Sequence, residues 1–480
     1  MSPSINIKWL YSTALAFVAL CLISISLDAY WILTAPLVAA IAWIFITKPK
    51  YILYFLALST PLSLHLIEER VSTINLSLPT EPLIMLMFIG VLVKLVTTKS
   101  LKIGDFKTII TVLILVDFGW LLVTTITSSL PLISFKFLLS KAWYLVVFYF
   151  LLVRLFKNQR TARIFIWCFA VSAVLLAGYT LYNHALGGFT RSYAYTAMRP
   201  FLPDHGMYAA CISFVAPVLF IFGIHGKNFG YSVFLRGISL ALFVFIVFAV
   251  AMSFTRASWI SLVAAFAVYV ALQLKVKFKY LILIGVIASG ALFSNMDNLL
   301  TDLSRNKKES DDNIENHLQS VSNVSSDPSN LERLNRWGCA IRMWEDKPIV
   351  GFGPGTYTFQ YGQYQLPHEM TIISTNSGTL GGVHSEYLRP LAESGTLGTL
   401  FYVLLVVAVF YIGFKHNSKL IGASKYLSMA AFLGLVTYFA HSVLNNYSDF
   451  DKIAVPLYSF MAVLTAIELS LINDKKDSKE

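Results

Sequence analysis

Cationic residues at the edges of apolar stretches are the first chemistry that this sequence offers. Arg256 stands in SFTRASW at the start of a hydrophobic run, and Arg191 and Arg199 lie in the polar stretch TRSYAYTAMRPFLPDHG. Lys136 and Lys141 fall within another apolar run, Lys141 the deeper of the two. A charge at membrane depth costs roughly 2.5–3.5 kcal/mol even on lenient scales, so such a residue is functional by default, and Lys141 in particular needs a partner. The planar fork of arginine pairs phosphate oxygens two at a time, which suits these positions to an anionic, phosphate-bearing ligand. The plainer alternatives are an interfacial arginine that snorkels to the headgroups for Arg256 and solvated loop charge for Arg191 and Arg199. His384, in GGVHSEYLRPLAESGTLG, carries an imidazole that can take a proton near neutrality; judged alone it reads as an ordinary loop histidine.

These groups must be positioned by a membrane-embedded scaffold. The 480 residues are 56% hydrophobic and only 13% charged, against about 25% charged in soluble domains. The mean hydropathy is +0.67. The apolar residues come as runs long enough to span a bilayer, and backbone groups in lipid must pair internally, so the runs are helices. We expect an all-α polytopic integral membrane protein with about 12–14 transmembrane helices. The candidate stretches are 9–27, 30–47, 51–66, 81–98, 108–127, 131–153, 162–183, 203–224, 235–254, 257–274, 280–296, 393–414, 426–446 and 453–472. The third is short and holds Pro61, which implies a kink or a re-entrant segment. The first has no small-residue cleavage site and reads as a retained span.

The net charge of +11 does not form a basic patch for nucleic acid. With the N-terminus in the cytoplasm, most Lys and Arg, including Lys157, Lys277 and Lys419 and the tail 473–480, fall on the inner side. Four cysteines without pairing or metal spacing predict no structural disulfide. The implied organisation is helices over 1–296, one large outer, periplasmic loop over 297–392, and closing helices over 393–472. The loop begins with a Ser- and Asn-rich part, 303–330, of disordered composition. Asp327-Pro328 then supplies an N-cap and a first helical position. Leu334, Trp337, Ile341 and Trp344 repeat at helical spacing until Pro348, which predicts an amphipathic helix with Arg333 and Arg336 on its other side.

From Arg333 the chain reads RLNRWGCAIRMWEDKPIVGFGPGTY and then GGVHSEYLRPLAESGTLG. Arg336, Trp337, Pro348, Gly351, Gly353, Gly355, His384, Glu393, Gly395 and Gly398 stand in an order that resembles the O-antigen ligase and polymerase family of bacterial envelope enzymes. Arg256 in SFTRASW extends the resemblance to a membrane edge. The likeness covers the whole chain in layout and about 340–400 closely. It implies an inner-membrane glycosyltransferase with its site facing the periplasm. The donor would be a glycan on undecaprenyl diphosphate, and the acceptor a hydroxyl of a lipid A core, another lipid-linked glycan or a protein. Neither metal nor cofactor is implied, because the diphosphate linkage stores the driving force.

The chemistry requires a base at the acceptor hydroxyl and cations around the leaving diphosphate. By the resemblance His384 is the base, with Glu386 and Glu393 as alternatives or supports. Arg256, Arg199, Arg191, Arg336 and Lys141 would hold the donor, Arg336 being preferred to Arg333 and Arg342 because it precedes Trp337. Asp449-Phe450-Asp451 spells a D-x-D metal motif, but it falls on the outer side, away from nucleotide sugars. With His441 and Asn445, four apart on one helix face, Asp449 is expected to bind sugar or brace the His384 loop. The three glycines 351, 353 and 355 lack a strand–turn–helix context and predict a tight turn, not a dinucleotide site. The ligase reading leads the polymerase reading. A transporter of lipid-linked glycans is the rival of another class, without the interrupted-helix repeats such proteins often show.

Overall fold

Helices dominate because the apolar runs leave each backbone N–H and C=O no partner in lipid except its own helix. The computed structural model describes residues 7–26, 47–66, 76–98, 107–280, 328–371 and 381–477, with isolated positions between them. The expected spans at 30–47 and 280–296 and the Ser-rich part of the loop fall largely outside the described residues. The chain divides into residues 1–56 and 57–480. The first unit holds α1 (Ile7–Ser26) and most of α2 (Pro49–Ser59).

The second unit continues with α3 (Thr80–Thr98), α4 (Ile109–Ile126), α5 (Pro131–Tyr144), α6 (Gln159–Leu186), α7 (His205–Ser213), α8 (Val215–His225), α9 (Val233–Ala251) and α10 (Arg256–Gln273). The loop helix α11 (Pro328–Asp346) follows, then α12 (Arg389–Lys419), α13 (Gly422–His441) and α14 (Asp451–Asp477). Among the described residues nine helical stretches are long and apolar enough to cross a membrane. The protein is an all-α, multi-pass membrane protein.

Three local features shape the bundle. The expected third span stops early: α2 ends at Ser59, Thr60–Leu62 form a 3-10 turn, and Leu64–Leu66 pair antiparallel with Leu76–Leu78. Pro61 in that turn lacks the N–H that would continue the helix. After α5 the chain runs through a π-helical turn, Leu145–Leu151, where the buried Tyr149 hydroxyl reaches Thr111 at 2.7 Å and Thr465 at 2.9 Å. Finally, α12 breaks at Gly395, with φ 70 and ψ −167. A Cβ there would lie 2.1 Å from the Ile349 carbonyl oxygen, so only glycine lets the loop press against the helix start.

The two ends of the bundle differ. At one end Lys415 and His416 of α12 meet Glu468 of α14, and His416 also bonds Ser428 of α13 at 2.8 Å. At the other end, the beginnings of α7, α10, α12 and α14 meet the end of α13 beneath the loop helix. The candidate site lies at this second end.

Candidate active site

The loop helix begins at Pro328 and ends before Pro348, as its sequence implies. Its packed face is not the expected apolar stripe. Glu332, Asn335, Arg336, Cys339, Ala340 and Met343 are buried, whereas Leu334, Trp337 and Trp344 are partly exposed and Ile341 is exposed. The Trp344 indole N–H donates to Thr396 at 2.9 Å, tying the stripe to the start of α12. The helix turns polar groups inward because each finds a partner there. Arg336 donates from Nε to Glu332 at 2.7 Å and from a terminal nitrogen to the Gly382 carbonyl at 3.2 Å, and it lies over the Tyr361 ring. Burial pushes the Glu332 carboxyl up, but hydrogen bonds from Ser374 and Arg336 outweigh it and hold the group below its ordinary value. Arg336 is therefore a strut inside the loop's own core, beside the stacked rings of Tyr357 and Tyr361.

The glycine-rich turn sits on the start of α12. The N–H groups of Phe352 and Gly353 donate to the carbonyls of Ala392 at 3.0 Å and Glu393 at 2.8 Å. Gly351 has φ +65 and would place a Cβ 2.4 Å from the Glu393 carbonyl carbon, so the turn needs glycine for both conformation and closeness. This seam fixes Glu393, whose Oε1 accepts the Tyr357 N–H at 3.1 Å.

His384 follows Gly381-Gly382-Val383 with φ 56, a left-handed backbone that histidine adopts more readily than most side chains. Its N–H donates to Asn446 Oδ1 at 2.9 Å. The imidazole is half-buried and hydrogen-bonds Asn445. Burial, reinforced by the fields of Arg333 and Arg336, pushes it down to about 4. A polar chain leads onward. Asn445 Nδ2 meets His441 Nε2 at 3.0 Å, and His441 Nδ1 meets Ser258 at 3.0 Å in the first turn of α10. That turn begins with Arg256. Asn445 also accepts from the Tyr447 hydroxyl, which reaches Asp204, the N-cap of α7.

Arg333 of the loop helix faces this cluster as well. Its field acts on His384, His205, His441 and Tyr447 together. Arg191 acts on His205 as well; its Nε donates to Tyr195 at 2.7 Å, and the Tyr195 ring lies 4.4 Å from that of His205. Arg199 is exposed, with its carbonyl accepting from Tyr179.

Of the remaining expected residues, Lys141, Glu393 and Asp449 line a second compartment, a cavity of about 330 Å3 bounded by α5, the turn at 355–358, Gly382, α12, the 446–449 connection and Tyr458. Lys141 finds its required partner in Asp117 of α4 at 2.9 Å. Arg389 pairs with Glu386 at 2.8 Å and with Asp449. Glu386 is buried and saturated, since the Tyr438 hydroxyl donates to it at 2.9 Å and the Ser448 N–H at 2.8 Å. The two aspartates of D-x-D part company: Asp449 serves Arg389, whereas Asp451 accepts from Ser63 and Thr80 at 3.0 and 2.7 Å. Among the described residues, no three His, Cys, Asp or Glu gather as a metal set.

Sequence reasoning missed Arg389, Asp117, Asp204 and Tyr447. Asp117 carried a signal, as an acidic residue inside the apolar run IITVLILVDFGWLL. No curated protein matches the chain. A family model described as O-antigen ligase matches residues 240–403, which run from within α9 through α10 and the loop helix to the first turns of α12. That segment contains Arg256, Arg333, Arg336, His384 and Glu393, and over these residues the chain is similar to the O-antigen ligase family.

Proposed function

We propose that the protein transfers a glycan from undecaprenyl diphosphate to an acceptor hydroxyl, at the periplasmic face of the bacterial inner membrane. The observation that carries this reading is that His384, held by Asn446 beside the Asn445–His441–Ser258 chain, stands at the bundle end where Arg256 starts α10, both residues within the segment that matches O-antigen ligases. The acceptor O–H gives its proton to the His384 imidazole while its oxygen attacks the anomeric carbon. The bond from that carbon to the diphosphate oxygen breaks, and its electron pair leaves with the diphosphate. Arg333, Arg256 and Arg191 stabilise the leaving anion, as fixed cations do where charge develops. Asn445 and Asn446 hold the histidine, and Glu386 fixes Arg389. The acceptor is a lipid A core in the ligase reading and another lipid-linked glycan in the polymerase reading.

The test is reconstitution of the purified protein with undecaprenyl-diphosphate glycan and each acceptor type, followed by product mass. Ligation or chain extension is expected from wild type and neither from His384→Ala, because a general base contributes typically about 10²–10⁴-fold. Donor that is bound but never transferred to any acceptor would favour a carrier of lipid-linked glycan over an enzyme.

A further inference from the structure

The two compartments differ in their lining. Beside His384 a polar chain runs from Asn445 through His441 to Ser258, in the turn that Arg256 begins. The cavity next to it has two cations, Lys141 and Arg389, and both are paired, Lys141 with Asp117 and Arg389 with Glu386 and Asp449. Glu393 and Asp449 stand on the cavity wall itself. A diphosphate would meet those two carboxylates beside cations that already have their counter-charges. The rest of the wall is hydroxyl, amide and aromatic: Ser140, Thr358 and Asn446 among the rings of Phe137, Tyr144 and Tyr357.

Carboxylates, hydroxyls and aromatic rings together are the complement of an uncharged polyol. They accept its O–H groups and pack against its C–H groups, and an amine on the sugar would meet Glu393. A volume of about 330 Å3 lies at the small end of ligand pockets, enough for a sugar ring and its waters. The cavity also adjoins the base. Gly382 and Val383 line it directly before His384, and Asn446 both lines it and accepts the His384 N–H.

We propose that this cavity is the acceptor-sugar subsite, taking a neutral or amino sugar of the acceptor with Glu393 and Thr358 as specificity-determining residues. The proposal rests on the transfer reading above for its biological sense, but binding can be measured without transfer. It also moves Lys141 away from the donor: its role is to hold Asp117 and shape the cavity wall.

The test uses the full chain in lipid nanodiscs. Methyl glycosides of glucose, galactose, glucosamine and N-acetylglucosamine serve as probes in saturation-transfer NMR, with undecaprenyl-diphosphate glycan binding measured beside them. Glu393→Gln keeps an oxygen for the Tyr357 N–H, and Thr358→Val keeps shape, so both should fold; a thermal melt checks this, and Ser140→Ala stands in for either that does not. At least one glycoside is expected to bind wild type and to weaken by about tenfold in each folded variant, the scale of a lost hydrogen bond, with donor affinity unchanged. With an active acceptor, its KM should rise by the same factor. Glycoside binding that is absent from wild type, unchanged in the variants, or replaced by a loss of donor affinity would overturn the proposal. If transfer fails with every acceptor while the glycosides bind as expected, the transfer reading falls and the sugar site stands. If transfer proceeds with acceptor KM unchanged in the variants, the sugar site falls and transfer stands.

Discussion

The low affinity of His384 for protons makes a prediction about two pH profiles of one enzyme. In the free protein, burial and the fields of Arg333 and Arg336 hold the imidazole at about 4. At pH 5 such a group is about 90% neutral, whereas an ordinary imidazole of pKa near 6.5 is about 3% neutral. The profile of kcat/KM reports the free enzyme, so its acid limb should fall near 4. Bound diphosphate changes the field. Its negative charges oppose those of Arg333 and Arg336, so the protonated imidazole is no longer repelled as strongly and the pKa rises. The profile of kcat reports the complex, and its limb should lie above that of kcat/KM, approaching but not reaching 6.5 because burial remains. Arg333→Gln removes one repelling charge and should shift the kcat/KM limb upward while weakening donor binding. Transfer rates of the purified protein from pH 3.5 to 8, at low and at saturating donor, supply both profiles. Coincident limbs near 6.5 in wild type, or a limb unmoved by Arg333→Gln, would refute the placement of His384 among these cations.

Other consequences are tested by stability and by chelation. Arg336→Ala leaves the Glu332 carboxylate buried without its ion partner and should cost about 3–5 kcal/mol, read as a lowered melting temperature, while replacing both residues by methionine should cost much less. Gly395→Ala forces a side chain into a backbone region essentially reserved for glycine, about 1–3 kcal/mol from that strain alone, and into the Ile349 carbonyl; faster proteolysis of the 347–356 turn is the expected outcome. Because Asp449 and Asp451 face different partners, EDTA should leave transfer unchanged, and Asp451→Asn should lower stability by about 1–3 kcal/mol without changing donor affinity.

What the sequence made legible were features set by local physics. Apolar runs became helices, Pro328 and Pro348 bounded the loop helix, positive-φ glycines made the turn, and Lys141, too deep to stand alone, had a partner. What it hid were choices made by tertiary pairing. The periodicity of Leu334, Trp337, Ile341 and Trp344 pointed to the wrong buried face, because Glu332, Asn335 and Arg336 count as outward on any hydrophobic scale until their partners at Ser374, Gln365 and Gly382 are known. Arg333 and Arg336 stand three residues apart; the Arg336 guanidinium bonds Glu332 and the Gly382 carbonyl, and the charges of both act on His384. Nor could a short motif reveal that the two aspartates of D-x-D turn to different helices.

Keeping the cations of the cavity paired has a mechanistic consequence for a reaction between a dianionic donor and an uncharged nucleophile. Cations left unpaired in the proposed acceptor cavity would invite a second lipid diphosphate and block the acceptor. The observed pairings avoid this: Asp117 pairs with Lys141, and Glu386 and Asp449 with Arg389. Asn446, uncharged and shared by both compartments, holds the His384 backbone without tilting the field of either. In the transfer reading this places a neutral base where an acceptor hydroxyl on one side meets an anomeric carbon on the other, so the proton can pass to the imidazole as negative charge moves to the arginines.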